Sequence, residues 1–122
     1  MYDHIGLRVK DMAASIRFYT AALAPLGYVL GPKVDDYAGF GPKDAPGLWL
    51  HAHKGAAVVG AHVAFKAPNR AAVERFHAEA LKAGGKDNGK PGLRTDYSPD
   101  YFGAFVIDPD GNNVEAVCHT PE

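Results

Sequence analysis

Asp3–Tyr28, DHIGLRVKDMAASIRFYTAALAPLGY, and Ala61–Lys86, AHVAFKAPNRAAVERFHAEALKAGGK, align without a gap when the chain is slid so that His4 lies over His62. Identical residues then fall at His4/His62, Ala13/Ala71, Ala14/Ala72, Arg17/Arg75, Phe18/Phe76, Ala22/Ala80, Leu23/Leu81 and Gly27/Gly85. A self-match at a fixed offset fixes architecture more firmly than local propensity, because each copy must form one supersecondary unit. It also pairs two histidines, which a packing repeat alone has no reason to keep.

Each copy opens as a strand. Ile5, Leu7 and Val9 alternate with His4, Gly6 and Arg8, as Val63 and Phe65 alternate with His62 and Ala64. A helix follows in each: Asp11 is the cap candidate before Met12, Ile16, Tyr19 and Leu23, and Asn69 before Val73, Phe76, Ala80 and Leu81. Pro25 is expected to stop the first helix near residues 22–24, and Gly84-Gly85 the second. Short strands are expected over Tyr28–Leu30, Tyr37–Phe40 and Leu48–His53. Lys86–Pro99, rich in Gly, Pro, Asp and Asn, is expected to be mostly loop. Gly103–Ile107 and Asn113–Cys118 should form a hairpin across Asp108-Pro109-Asp110-Gly111-Asn112. Each half therefore reads β-α-β-β-β, which is an α+β plan. No low-complexity linker divides them, so residues 1–122 are expected to pack as one domain of two modules, about 1–57 and 58–122.

Composition narrows the function classes. The 122 residues are 47% hydrophobic and 22% charged with a formal charge of −1, which leaves no basic footprint for nucleic acid or an anionic membrane. The lone Cys118 cannot form an intramolecular disulfide, so a reducing compartment is expected. No secretory leader is visible at the start, and no window approaches the roughly 18–20 apolar residues that span a bilayer. A cytoplasmic location is the expectation.

The strand faces point to chemistry. If Ile5, Leu7, Val9, Val63 and Phe65 cover the helices, His4 and His62 occupy the opposite faces, aimed into a cleft between the two sheets. On the last strand Val114 and Ala116 share one face, and Asn113, Glu115 and Val117 the other. Two neutral imidazoles and one carboxylate on three strands make a facial ligand set for one divalent ion, with positions left for water or substrate. Such donors suit Fe, Mn, Ni, Co or Zn. The ion would polarise a substrate oxygen, and a carboxylate beside it moves a proton.

On the stretches DHIGLRVKDMAASIRFYTAAL, AHVAF and FVIDPDGNNVEAVC, the chain resembles the vicinal oxygen chelate superfamily of glyoxalase I, bleomycin-resistance proteins, fosfomycin-resistance enzymes and extradiol dioxygenases. The resemblance implies paired βαβββ modules in a cup-shaped mixed sheet with helices outside, commonly in a homodimer. It also implies His4, His62 and Glu115 as metal ligands, with Glu115 as the base. A fourth ligand of the glyoxalase I pattern would fall in Leu48-Trp49-Leu50, where Trp49 cannot coordinate a metal. His51, two residues further along the same strand face, is a candidate substitute if register and side-chain reach allow it. The implied function is a lactoylglutathione-lyase-like enzyme whose substrate chelates the metal through adjacent oxygens. The alternative is a metal-free binding protein of the bleomycin-resistance type that sequesters an aromatic small molecule.

Arg8, which shares a face with His4, is a candidate carboxylate anchor. Trp49, Tyr97, Tyr101 and Phe102 are candidate substrate walls, the last three within a long aromatic segment suited to a lid. Cys118, on the face opposite Glu115, is expected to be a small buried residue. His77 is expected on the helix face, and His119 in solvent.

Overall fold

The computed structural model describes residues 1–55 and 60–121. Alternation in the first stretch yields β1, Ile5–Val9, with Leu7 and Val9 buried and Gly6 and Arg8 exposed. The Asp11 carboxylate accepts from the backbone N–H of Ala14 at 3.0 Å and so caps α1, Met12–Leu23. Pro25 ends the helix in a 3-10 turn, Ala24–Leu26, closed by Gly27. β2 (Val29–Lys33), β3 (Tyr37–Gly41) and β4 (Leu48–Ala52) complete the first module. The second runs β5 (His62–Lys66), α2 (Arg70–Lys82), β6 (Lys86–Leu93), β7 (Phe102–Ile107) and β8 (Asn113–Cys118). The Asn69 side chain caps α2 by accepting from the Ala72 N–H at 2.8 Å. The module boundary expected at residues 57–58 lies outside the described residues.

The strands form two four-stranded mixed sheets, ordered β1-β4-β3-β2 and β5-β8-β7-β6. In each, the first strand lies parallel to the last and the other neighbours are antiparallel. This is the predicted α+β plan of two βαβββ modules. The helices cover one face of each sheet and pack against one another. Phe18, Tyr19 and Leu23 of α1 and Val73, Phe76 and Ala80 of α2 join Leu50, Val63, Val106 and Val114 in one core. Each fully buried large side chain there stabilises the fold by about 1.5–3 kcal/mol.

Polar bonds fasten the halves at the hairpin turn. The Tyr19 hydroxyl donates to Asp108 at 2.5 Å, and burial, then the Asp108 carboxylate, hold that phenol well above its usual range. Asp110 accepts from the Lys10 N–H at 2.9 Å and from the Ser15 hydroxyl at 3.2 Å, beside the start of α1. Among the described residues no helix is long and apolar enough to cross a membrane.

One expectation is corrected. Most of the segment expected to be loop, Lys86–Leu93, is strand β6, with register shifts at 87/89 and 89/92. β6 lies at the sheet edge, where a missing proline N–H breaks no ladder and bulges absorb irregular residues. Gly89, Pro91 and Gly92 are therefore compatible with pairing.

Candidate functional site

Strand register decides what shares a face. In the second sheet Ala64 lies opposite Glu115, Glu115 opposite Phe105, and His62 opposite Asn113. Val63, Phe65, Val114 and Ala116 point to the helix side, so His62, Phe105 and Glu115 lie together on the other face.

The imidazole of His62 is fixed from both ends. Its Nδ1 lies 3.0 Å from the carbonyl oxygen of Asn113, and a carbonyl only accepts, so Nδ1 carries the proton. Nε2 stands 3.1 Å from Oε1 of Glu115. His62 is half-exposed, whereas the Glu115 side chain is only 2% exposed. A carboxylate so far from water needs partners for both oxygens. Oε2 accepts a short hydrogen bond from the Tyr101 hydroxyl. Burial, reinforced by the bond to Glu115 and its charge, raises the Tyr101 phenol well above the usual tyrosine range, so it remains a donor at ordinary pH. Phe105 lies under His62, its ring stacked at 6.2 Å and 24°.

With its proton committed to Asn113, a neutral His62 turns the Nε2 lone pair toward a carboxylate oxygen. Two electron-rich atoms 3.1 Å apart repel unless positive charge lies between them, supplied by a proton or a cation. The donor set, one imidazole nitrogen and one carboxylate oxygen, suits a borderline divalent ion.

The first sheet has the same frame with other contents. Gly6, the repeat mate of Ala64, lies opposite Trp49 just as Ala64 lies opposite Glu115. The equivalence read from sequence therefore holds in the strand register, and Trp49 occupies the carboxylate's place. Gly39 lies opposite Trp49, and a Cβ there would stand 2.8 Å from the indole, so the glycine makes room for the ring. Tyr37 meets Trp49 edge-on at 5.8 Å. His51 pairs with both Arg8 and Tyr37, which puts all three on this face.

The structure thus joins His62, Glu115 and Tyr101, and groups Arg8, Trp49 and His51 on the other module. His4 stands apart from both sets. It precedes β1, with Nδ1 2.7 Å from Oδ1 of Asp3, and lines a cleft of about 260 Å³ with Leu23, Phe40, Val63 and Phe65. Among the described residues no three His, Cys, Asp or Glu side chains lie close enough to hold one ion. His4 lies by Val63 and Phe65, the residues of β5 that face the helices, on the side of that strand away from Glu115.

Tyr97 is exposed and edge-on to Tyr101 at 4.9 Å. Phe102 pairs with Cys118, on the helix side, with the Arg70 guanidinium 5.0 Å above its ring. It therefore does not share Glu115's face. Cys118 is buried, as is His77, which bonds Asp87 at 2.9 Å; His119 is exposed. Sequence reasoning missed Phe105 and took in Arg94 only as the first residue of the aromatic segment suited to a lid. Phe105 was legible from its alternation with Ala104 and Val106.

The sequence matches the profile of the Glyoxalase/Bleomycin resistance protein/Dioxygenase superfamily over residues 2–116, and the chain belongs to that superfamily. Among solved structures, a glyoxalase/bleomycin resistance protein from Albidiferax ferrireducens T118 is 25% identical, with a TM-score of 0.85 over 96% of this chain and 98% of that one. A glyoxalase/bleomycin resistance protein/dioxygenase family enzyme from Burkholderia phytofirmans PsJN gives 0.75 at 14% identity, over 97% and 98%. A glyoxylase/bleomycin resistance protein/dioxygenase domain from Frankia sp. EAN1pec gives 0.72 at 19%, over 96% and 95%. The last two share the fold alone. No curated protein matches the sequence.

Proposed function

We propose that the chain is a metal-dependent enzyme that holds one divalent cation (Fe, Mn, Ni, Co or Zn) at His62 Nε2 and Glu115 Oε1. Its substrate presents adjacent oxygens to that ion, in chemistry of the lactoylglutathione-lyase type. The observation that carries this reading is His62 Nε2 facing a buried carboxylate oxygen at 3.1 Å while its Nδ1 is bonded to the Asn113 carbonyl. Ligands about 2.0–2.2 Å from one ion stand about 3 Å apart when adjacent at a right angle. When bound, the ion supplies Lewis acidity that polarises a substrate oxygen.

The chain's own residues do the rest. Asn113 fixes the His62 tautomer through its carbonyl, a partner typical of ligating histidines. Tyr101 holds Oε2 of Glu115, which orients the carboxylate for proton transfer at the substrate. Arg8, Trp49, Tyr97 and Tyr101 are the proposed substrate contacts.

His4 is held in the same manner, with Nδ1 on Asp3 and Nε2 left without a partner among the described residues. A homodimer that brings the start of β1 against the second module's face would let His4 of one copy complete the ligand set of the other. A cytoplasmic homodimer acting on a small molecule is the overall reading.

The test is reconstitution of purified protein with each of the five metals, followed by elemental analysis. About one ion per chain is expected, lost in both His62→Ala and His4→Ala while the melting temperature is kept. Wild type that stays metal-free with all five overturns the reading.

The Trp49 indole favours a second reading, a metal-free binder of bleomycin-resistance type. An aromatic ring replaces the carboxylate on the first module and, with Tyr37, forms a wall for a planar ligand. That protein would take no metal, and His62→Ala would leave its ligand affinity intact.

A further inference from the structure

The eight residues 94–101 separate β6 from β7. They are tied at the neck, where the Arg94 N–H donates to the Tyr101 carbonyl at 2.7 Å. The Arg94 side chain then returns over the sheet. Its Cζ lies 5.5 Å from the centre of the Phe105 ring, the same ring that stacks on His62. One terminal nitrogen donates to the Lys90 carbonyl at 2.6 Å. Gly89 and Gly92 leave space for the fork: a Cβ at either would stand 3.2 Å from a guanidinium nitrogen.

Arg94 is half-buried, yet among the described residues no carboxylate forms an ion pair with it. Glu115, opposite Phe105 on the same face, is already bonded to Tyr101 and His62. A guanidinium has five donors in a planar fork that matches carboxylate and phosphate oxygens two at a time. The single bond to Lys90 leaves most of that capacity unused.

We propose that Arg94 anchors an anionic group of the substrate, a carboxylate or a phosphoryl group. The rest of that molecule would lie along the sheet face toward His62 and Glu115. The proposal rests on reading this face as the substrate face, and it narrows the substrate class to acids. Arg94 and His62 both contact the Phe105 ring, so an acid held at Arg94 lies beside the proposed metal pair.

The probes are benzoate for the carboxylate, phenylphosphonate for the phosphoryl group and benzamide as the neutral control, each titrated by NMR into the full chain. Saturable binding of at least one acid is expected. It should weaken about tenfold or more in Arg94→Gln and recover in part in Arg94→Lys, with benzamide affinity equal in all three. The stronger acid identifies the anion. Should Arg94→Gln fail to fold, Arg94→Lys and the acid-versus-amide contrast in wild type decide between the outcomes, with shifts required at Phe105 and Tyr101.

Equal acid affinity in wild type and Arg94→Gln overturns the proposal, as does binding of neither acid. Metal content is a separate readout. Acid binding that depends on Arg94 in a chain that takes no metal keeps the anion site and removes the metal reading. Metal bound at His62 with acids indifferent to Arg94 does the reverse.

Discussion

Opposite Gly6 the first sheet carries Trp49; opposite Ala64, the repeat mate of Gly6, the second carries Glu115. Three residues, 34–36, join β2 to β3 in the first module, whereas eight, 94–101, join β6 to β7 in the second. That longer connection carries Arg94, Tyr97 and Tyr101. The framework of strands and capped helices is therefore common to both halves. Their chemistry diverges through one exchanged strand residue and one lengthened loop.

The sharpest way to break this contrast is exchange at the equivalent positions. Glu115→Gln keeps the shape but loses the ligand charge, and should lower cation affinity at least about 100-fold by calorimetry. Trp49→Phe should leave it unchanged. Equal losses in the two variants would erase the distinction between the faces.

Next in size is the pair Gly27 and Gly85, aligned in the repeat but doing different work. A Cβ at Gly85 would meet Val106 at 2.5 Å, Phe18 at 2.6 Å and the Ala80 carbonyl at 2.9 Å, so Gly85→Ala should cost about 1–3 kcal/mol or more in urea unfolding. Gly27 has open space around it but sits at φ 90°, so Gly27→Ala should cost only about 1 kcal/mol, from backbone strain. Comparable losses would mean that the two glycines share one role.

The smallest expected effect belongs to His77 and Asp87, a pair for which the first module has Tyr19 and no carboxylate at the matching place. The hydrogen bond from His77, then that from the Gly89 N–H, lower the Asp87 carboxyl below the ordinary aspartate value of 3.8. A carboxyl with a depressed folded value adds stability that is fully present above its ordinary, unfolded value, and that stability is lost as pH falls through the lowered one. Asp87→Asn should therefore be slightly less stable than wild type at about pH 7, with the gap closing toward about pH 2 in thermal melts. A gap that widens in acid would contradict the assignment.

Much of the fold was legible in the sequence. The repeat, Asp11, Asn69 and Pro25 placed both helices, because caps and prolines act locally. Alternation placed Glu115 and His62 on one face, since side-chain direction in a strand needs only the register. Two things were not legible. β6 was hidden because glycine and proline forbid a central strand but not an edge one, and edge position is a tertiary fact. The separation of His4 from His62 was hidden because it depends on how two modules dock. The docking contacts, Tyr19 with Asp108 and Ser15 with Asp110, join residues far apart in sequence.

The most direct test of the central claim is to load the protein with cobalt and locate the ion by anomalous diffraction. It should lie about 2.0–2.2 Å from His62 Nε2 and Glu115 Oε1, on the face that carries Phe105. Cobalt bound away from that pair, or none bound, would contradict the claim that the second module's face is the metal site.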